Sequence, residues 1–299
     1  MLQFKKIDEK DRNDLENIKK YIKMQPFRSC DYTVFGIYLW AEFYDYAYCI
    51  YEDTFFLKGI TENNLCDFAV PIGKLKTETA IEYIKEYCRQ NHIVPRFYFV
   101  PERALCHFEN AKITPIEGWS DYVYAAEDLK TLKGHKFNKK RNRLNKFLRE
   151  CDTECRACRY EPITKENIEK AKEFFEVYLA EYKKDNAYFI AESKIIRKAL
   201  DMFFDLDQTG GLLFAANKVI AMTIGETIGD TLYVHVEKAL REYDGAYEAI
   251  NYFYANENAT NGIKYINREE DMGDEGLRNA KMSYNPVMMI NKYEVRLDT

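Results

Sequence analysis

The chain has 299 residues, 46% hydrophobic and 31% charged, with only 7 Pro and 13 Gly; this excludes the disordered, collagenous and low-complexity classes and leaves enough length to bury a substantial core. Its 44 Lys+Arg against 49 Asp+Glu give a net charge of −5, so any contact with nucleic acid has to come from a local basic patch rather than from the molecule as a whole. No apolar run approaches the ~20 residues of a membrane span, and the start, Met1-Leu2-Gln3-Phe4-Lys5-Lys6-Ile7-Asp8-Glu9, carries no signal-peptide hydrophobic region; a cytoplasmic location is expected, with peripheral membrane contact left open.

In chain order, periodicity predicts a strand at 2–7 and a helix at 11–23 with Leu15, Ile18 and Ile22 on one face, stopped before Pro26. A second helix at 32–44 takes Asp31 as its cap. Strands at 46–51 and 54–58 are joined by Glu52-Asp53, followed by a strand at 67–71, a helix at 78–91, a strand at 95–100, a short helix after Pro101 and a strand at 121–125. The order is βααβββαβαβ. After 150 it recurs: a strand at 156–161, helices at 165–184 and 192–206, strands at 211–216, 219–228 and 231–237, a helix at 245–260, a strand at 264–267, a short helix at 276–283 and a strand at 286–296. The turns are Asn217-Lys218 and Gly229-Asp230. Two copies of one order predict duplicated α/β units with mixed sheets, 1–128 and 150–299, joined by a helix at 129–149, with the main cleft in the second unit.

This element order resembles that of GNAT-type acyltransferases, and its tandem use resembles the Fem-type peptidoglycan aminoacyltransferases and, more closely, the C-terminal catalytic domain of phosphatidylglycerol lysyltransferases. The stretches that carry the resemblance are Leu132-Lys133-Gly134-His135-Lys136-Phe137-Asn138-Lys139-Lys140-Arg141-Asn142-Arg143 and the run from Asn267-Arg268-Glu269-Glu270-Asp271 to Ser283-Tyr284-Asn285-Pro286. The resemblance implies transfer of an acyl or aminoacyl group from an activated donor, commonly aminoacyl-tRNA, to an amine or hydroxyl. Lysyltransferases of this kind usually carry a large membrane domain before the catalytic part, and no such segment is expected here.

From Lys130 to Arg149 there are nine Lys or Arg and no acid, so this segment is +9 and the remainder sums to −14. Phe137, Arg141, Leu144 and Leu148 recur at helical spacing and can dock, leaving Lys136, Lys139, Lys140 and Arg143 to draw in the phosphates of tRNA, a nucleotide-linked precursor or a lipid head group. The competing expectation is a solvated helix paired with the acidic remainder.

The strand 231–237 alternates Leu232, Val234 and Val236 with Thr231, Tyr233, His235 and Glu237. A polar face on a central strand predicts a wet or reactive surface, where His235 or Glu237 can act as general base; the alternative for His235 is a hydrogen-bonded core histidine. GNAT-type enzymes bind the donor pyrophosphate at the start of the next helix, through a Gln/Arg-x-x-Gly-x-Gly/Ala loop. Here Arg241 and Ala246 fit the ends and Gly245 allows close approach, but Asp244 occupies the fourth position and would repel a pyrophosphate. Asp244 is expected to cap the helix instead, and a donor other than acyl-CoA is favoured.

Arg278 and Lys281, spaced i, i+3 in the C-terminal stretch, are expected to share a helix face and hold a donor phosphate or a developing oxyanion. Cys151, Cys155 and Cys158 have the C-x3-C-x2-C spacing of a radical SAM motif, but the surrounding order is not a repeated βα barrel, and structural thiols with no metal or cluster are expected. The 24 Tyr and 19 Phe are read mainly as core, with Tyr32, Phe35, Tyr38, Leu39 and Phe43 assigned to packing. The expected protein is a tandem GNAT-like α/β acyltransferase without a resident cofactor, using aminoacyl-tRNA or acyl-CoA as donor and a small molecule or lipid head group as acceptor. The alternatives are an acyl-CoA-dependent N-acyltransferase and a non-catalytic anion-binding protein of the same fold.

Overall fold

The computed structural model describes residues 2–8, 10–60, 65–153, 157–182, 186–260 and 262–297. Its elements are β1 (Lys5–Lys6), α1 (Arg12–Ile22), β2 (Ala47–Tyr51), β3 (Thr54–Ile60), β4 (Cys66–Phe68), β5 (Ile72–Gly73), α2 (Thr77–Asn91), β6 (Arg96–Pro101), β7 (Ala111–Pro115), β8 (Asp121–Ala125), α3 (Ala126–Thr131) and α4 (Asn138–Thr153). There follow β9 (Arg159–Pro162), α5 (Ile168–Glu181), α6 (Ala187–Asp201), β10 (Thr209–Ala215), β11 (Lys218–Ile228), β12 (Thr231–Ala239), α7 (Ala246–Asn258), β13 (Tyr265–Asn267), α8 (Glu275–Met282), β14 (Met288–Ile290) and β15 (Lys292–Leu297). No described helix is long and apolar enough to cross a membrane.

Two compact units emerge, one comprising Met1–Asp121, Glu270–Glu275 and Met289–Thr299, the other Tyr122–Glu269 and Gly276–Met288. These boundaries differ from the expected ones in two respects. The basic segment is not a connector between units: Phe137, Leu144 and Phe147 are buried in the second unit's core, with Leu148 packed against it. The last strand belongs to the first unit, because β15 pairs with β6 on one side and β7 on the other.

In the first unit the strand order is β1-β2-β3-β4-β6-β15-β7, with β5 on β3. β2 and β3 form the hairpin expected at Glu52-Asp53, both residues adopting positive φ (49° and 52°) as a two-residue turn between twisted strands requires. Asp11 caps α1, its carboxylate accepting from the Asn13 amide at 2.9 Å. The helix expected at 32–44 is instead a 3-10 turn at Cys30–Tyr32 followed by a π-helical turn at Phe35–Leu39. Asp31 therefore sits inside a turn rather than at a helix cap, and its carboxylate pairs with Lys292 at 2.7 Å. β7, absent from the sequence reading, has almost every residue exposed, so no hydrophobic period marks it.

In the second unit the strands run β8-β13-β12-β11-β10-β9. All neighbours are antiparallel except β12 and β13, which are parallel and connected through α7. β12 is covered on both faces: Thr231 and Tyr233, expected on a wet face, are fully buried. Its polarity is matched by polar partners, described next.

Candidate active site

The parallel pair parts where the chemistry concentrates. β12 and β13 are in register from Thr231↔Tyr265 to Tyr233↔Asn267, after which β13 ends while β12 continues to Ala239. On its other side β12 bulges against β11, since Ile224 faces Val236 and Gly225 faces Val234, leaving His235 as the extra residue. Such bulges re-aim a side chain and interrupt the ladder. At the end of β13, Asn267 Oδ1 accepts from the Glu269 amide at 2.7 Å, and Glu269 takes a left-handed φ of 58°. That turn sends the chain away from β12 and places Arg268 and Glu269 opposite the open strand end.

His235 lies between two carboxylates, with Nδ1 2.7 Å from Glu269 Oε1 and Nε2 3.0 Å from Glu226 Oε1. The imidazole side chain is fully buried, and only its main chain retains exposure. Burial alone would lower its affinity for a proton, but the hydrogen bonds to Glu226 and Glu269 outweigh this and raise the pKa to about 9. The ring is therefore an imidazolium at neutral pH and has no lone pair with which to act as a general base.

Glu237 stands further along β12. Its Oε1 accepts from Arg268 Nη2 at 2.7 Å and its Oε2 from Asn251 Nδ2, on α7, at 3.2 Å. The Arg268 guanidinium lies 4.7 Å from the Tyr284 ring centroid and 5.8 Å from that of Tyr124, and its Nη1 is buried with no hydrogen-bond partner. Lys281, the buried residue of α8, donates from Nζ to the Arg268 carbonyl at 2.6 Å, while its own carbonyl accepts from Tyr124 OH at 2.9 Å. Arg278 is exposed. The two residues expected to work as a pair on α8 thus occupy different environments, Arg278 exposed and Lys281 buried against the strand splay.

The basic helix α4 runs past the start of α7. Lys140 Nζ bonds Glu248 at 3.2 Å and lies 4.1 Å from the Tyr284 ring centroid; burial lowers its pKa against the opposing pull of Glu248. Arg143 bonds Asp244 at 2.9 Å and Glu248 at 3.4 Å, Lys146 bonds Asp244 at 2.9 Å, and Lys136 bonds Asp128 at 2.8 Å. Lys139 is exposed and makes no ion pair among the described residues. Three of the four lysines and arginines expected to collect phosphates are thus paired with carboxylates of the second unit.

Asp244 does not cap α7; it forms ion pairs with α4, and the cap position is Gly245 at φ 90°. A Cβ at Gly245 would fall 2.8 Å from the Arg143 carbonyl and 2.9 Å from Phe147 Cβ, so glycine is what lets α4 cross at this point. Ala246 is buried as the first helical residue. The α7 N-terminus is therefore occupied by protein: α4 packs against it and two carboxylates lie in or beside its first turn.

Cys151 and Cys158, expected as free thiols, form a disulfide with Cα atoms 5.4 Å apart. Cys155 lies outside the described residues, and with its two companions bonded to each other the three-cysteine run is not a cluster motif in this state. The sequence reading assigned no role to Glu226, Glu248, Asn251 or Arg268. The usable signal for Glu226 was an acidic residue near the end of the mostly apolar strand β11, one strand from His235.

The family described as "Phosphatidylglycerol lysyltransferase, C-terminal" matches residues 25–296. A conserved protein of unknown function from Bacteroides thetaiotaomicron is 30% identical, with both chains covered completely and a TM-score of 0.90. The C-terminal domain of a putative lysylphosphatidylglycerol synthetase from Agrobacterium fabrum shares the fold at 14% identity, with a TM-score of 0.69 over 96% of this chain and 92% of that one. FemX shares it at 9% identity and a TM-score of 0.63, over 94% and 95%. An uncharacterised protein of Mycoplasmoides gallisepticum is 21% identical over 186 residues, 60% of this chain, which spans 57% of that relative's length. With the match extending over nearly its whole length, the chain belongs to the family of phosphatidylglycerol lysyltransferase C-terminal domains and has their tandem GNAT-like α/β fold.

Proposed function

We propose that the second unit catalyses aminoacyl transfer from the ester of an aminoacyl-tRNA to a hydroxyl or amine, with a lipid head group as the favoured acceptor. The observation that carries this reading is the filling of the β12–β13 splay by hydrogen-bonded charges, above all the Arg268–Glu237 pair at 2.7 Å, where an apolar core would otherwise close the gap. A guanidinium oriented by a carboxylate and two rings suits a carbonyl oxygen that becomes negative as the tetrahedral intermediate forms. The acceptor O–H or N–H attacks the ester carbon and the bond to the ribose oxygen breaks. The proton passes to a carboxylate and then to the leaving ribose hydroxyl. Glu269, whose side chain is 25% exposed, takes that role in place of His235 or Glu237, while its 2.7 Å contact with His235 Nδ1 keeps it aimed.

The state of the α7 N-terminus supports an ester donor over acyl-CoA. Lys140, Arg143 and Lys146 of α4 are already engaged by Glu248 and Asp244, and α4 crosses close to Gly245, so the helix start is taken up by protein contacts instead of a pyrophosphate. The test is incubation with a panel of tRNAs bearing labelled amino acids and, separately, a panel of acyl-CoAs, each with head-group acceptors. Labelled product from a charged tRNA, absent with a folded Arg268→Met variant, supports the reading. Product from an acyl-CoA alone reassigns the donor, and binding without product leaves a ligand-binding protein.

A further inference from the structure

A row of polar side chains crosses the second unit's sheet beneath α7. Gly211 of β10 lies directly opposite Thr223 of β11, and Thr223 directly opposite Glu237 of β12. Residues paired in this way point to one face of an antiparallel sheet. Here it is the face that α7 covers, since Glu237 accepts from Asn251 of that helix. Arg268, donating to Glu237, closes the row at the strand splay.

The other end of the row depends on a missing side chain. A Cβ at Gly211 would collide with the Tyr160 hydroxyl. Glycine therefore lets Tyr160 of β9, whose ring stacks on Phe253 of α7 with centroids 5.8 Å apart, lay its hydroxyl over β10. The Asn258 side chain approaches that hydroxyl from the end of α7 without closing a hydrogen bond to it.

Two hydroxyls in this row are buried with no hydrogen-bond partner, Tyr160 OH and Thr223 Oγ1, and Thr223 has 0% exposure. The Cβ positions of directly opposite residues are ~4.5–5.5 Å apart. With the Tyr160 hydroxyl standing at the Cβ position of Gly211, it and the Thr223 side chain are separated by about two hydrogen-bond lengths, the span of one bridging water. Glu237 supplies the next acceptor. Its oxygens take one hydrogen bond from Arg268 and one from Asn251, and each keeps a second lone pair. Neutral hydroxyls that both donate and accept, followed by a carboxylate, are the partners that buried water takes.

We propose that Tyr160 and Thr223 hold a chain of buried water that runs on to Glu237 and steadies the carboxylate that orients Arg268. The site is read on the protein without substrate, so its failure would leave the aminoacyl-transfer reading standing. A crystal structure of the full chain should show a water within hydrogen-bond distance of both Tyr160 OH and Thr223 Oγ1, retained in Thr223→Ser and lost in Thr223→Val. Thr223→Val and Tyr160→Phe each remove one hydroxyl and keep the shape of the side chain. If the hydroxyls hold water, each variant lowers the urea midpoint, and the double variant loses less than the two losses summed, because both act on one water. If the hydroxyls hold nothing, each substitution removes an unpaired buried group and the midpoint rises. A rise overturns the proposal, as does a crystal structure in which the hydroxyls bond directly to each other or to Asn258 with no water between them. The reach to Glu237 is read by combining Thr223→Val with Arg268→Met and Glu237→Met. The non-additivity of that pair should shrink in the Thr223→Val background, and undiminished non-additivity overturns the link.

Discussion

Glu237 on β12 and Arg268, the residue that follows the end of β13, meet where the parallel pair parts in the second unit, and their 2.7 Å contact is the polar closure of the gap. Their side chains are only 12% and 10% exposed. Removing one partner leaves the other's charge buried and uncompensated, at a cost of about 3–5 kcal/mol, whereas removing both with apolar residues of similar size costs far less. Arg268→Met and Glu237→Met should each lower the free energy of unfolding in urea by about that amount, and the double variant should lose far less than the two losses summed. Strict additivity would show that the pair is not coupled. Glu237→Gln, which keeps a hydrogen-bond acceptor, should retain more stability than Glu237→Met.

His235 makes stability depend on pH in a defined window. Its folded pKa is raised to about 9 from 6.5, because Glu226 and Glu269 hold the proton against the effect of burial. A raised value means the folded state binds the proton more tightly, so the contribution is complete below about pH 6.5 and is lost as the pH climbs through about 9. Its size is on the order of 3 kcal/mol. Urea midpoints measured across that range should fall for the wild type, and His235→Gln should remove this part of the slope. An unchanged slope in His235→Gln would assign the effect to other groups.

Much of the fold is legible from local signals because those signals coincide with what the tertiary structure demands. Leu15, Ile18 and Ile22 mark α1, and the Glu52-Asp53 turn sits where two strands twist together. The signal fails where structure is set from a distance. β7 exists because β15 pairs with it, and nothing in its exposed residues announces this. Asp31 reads as a helix cap, yet its partner is Lys292, far away in sequence. At the candidate site, alternation along β12 finds His235 and Glu237 but not their protonation or pairing. The partners Glu226, Glu269 and Arg268 come from other segments, and the bulge that isolates His235 is invisible to a two-residue period.

The Cys151–Cys158 disulfide ties the end of α4 to the segment leading into β9, with a sequence separation of 7. A loop this short gives a stabilisation of about 2 kcal/mol in the chain-entropy treatment. Reductant should lower the urea midpoint of the wild type accordingly and leave that of a Cys151→Ser/Cys158→Ser variant unmoved. Peptide mapping without reduction should recover the linked pair. A wild-type midpoint indifferent to reductant would mean that the two sulfurs contribute as packed thiols.

The basic helix separates two explanations of its charge. Lys136, Lys140 and Arg143 are paired with Asp128, Glu248 and Asp244, so their charge is largely met within the second unit. Lys133 and Lys139 are exposed and have no ion pair among the described residues. If the basic segment touches a polyanion such as tRNA, these two are the first contacts, and each should contribute roughly 0.7 to 0.9 to the slope of log affinity against log salt. Lys133→Gln/Lys139→Gln should therefore reduce the slope by about 1.5 without changing the unfolding midpoint. The Lys136→Gln/Lys140→Gln/Arg143→Gln variant behaves differently, because it strands Glu248, which is buried at 5% exposure, while Asp244 keeps Lys146. It should lose stability first, through the unpaired buried carboxylate. It should change the salt slope by less than three full contacts would, since cations already paired to carboxylates release fewer counterions. Titrations against tRNA across a salt series, with unfolding curves for both variants, decide the matter. A slope unaffected by Lys133→Gln/Lys139→Gln would make α4 a structural helix whose charge serves the start of α7, and the tRNA-borne donor would then need a contact surface elsewhere on the chain.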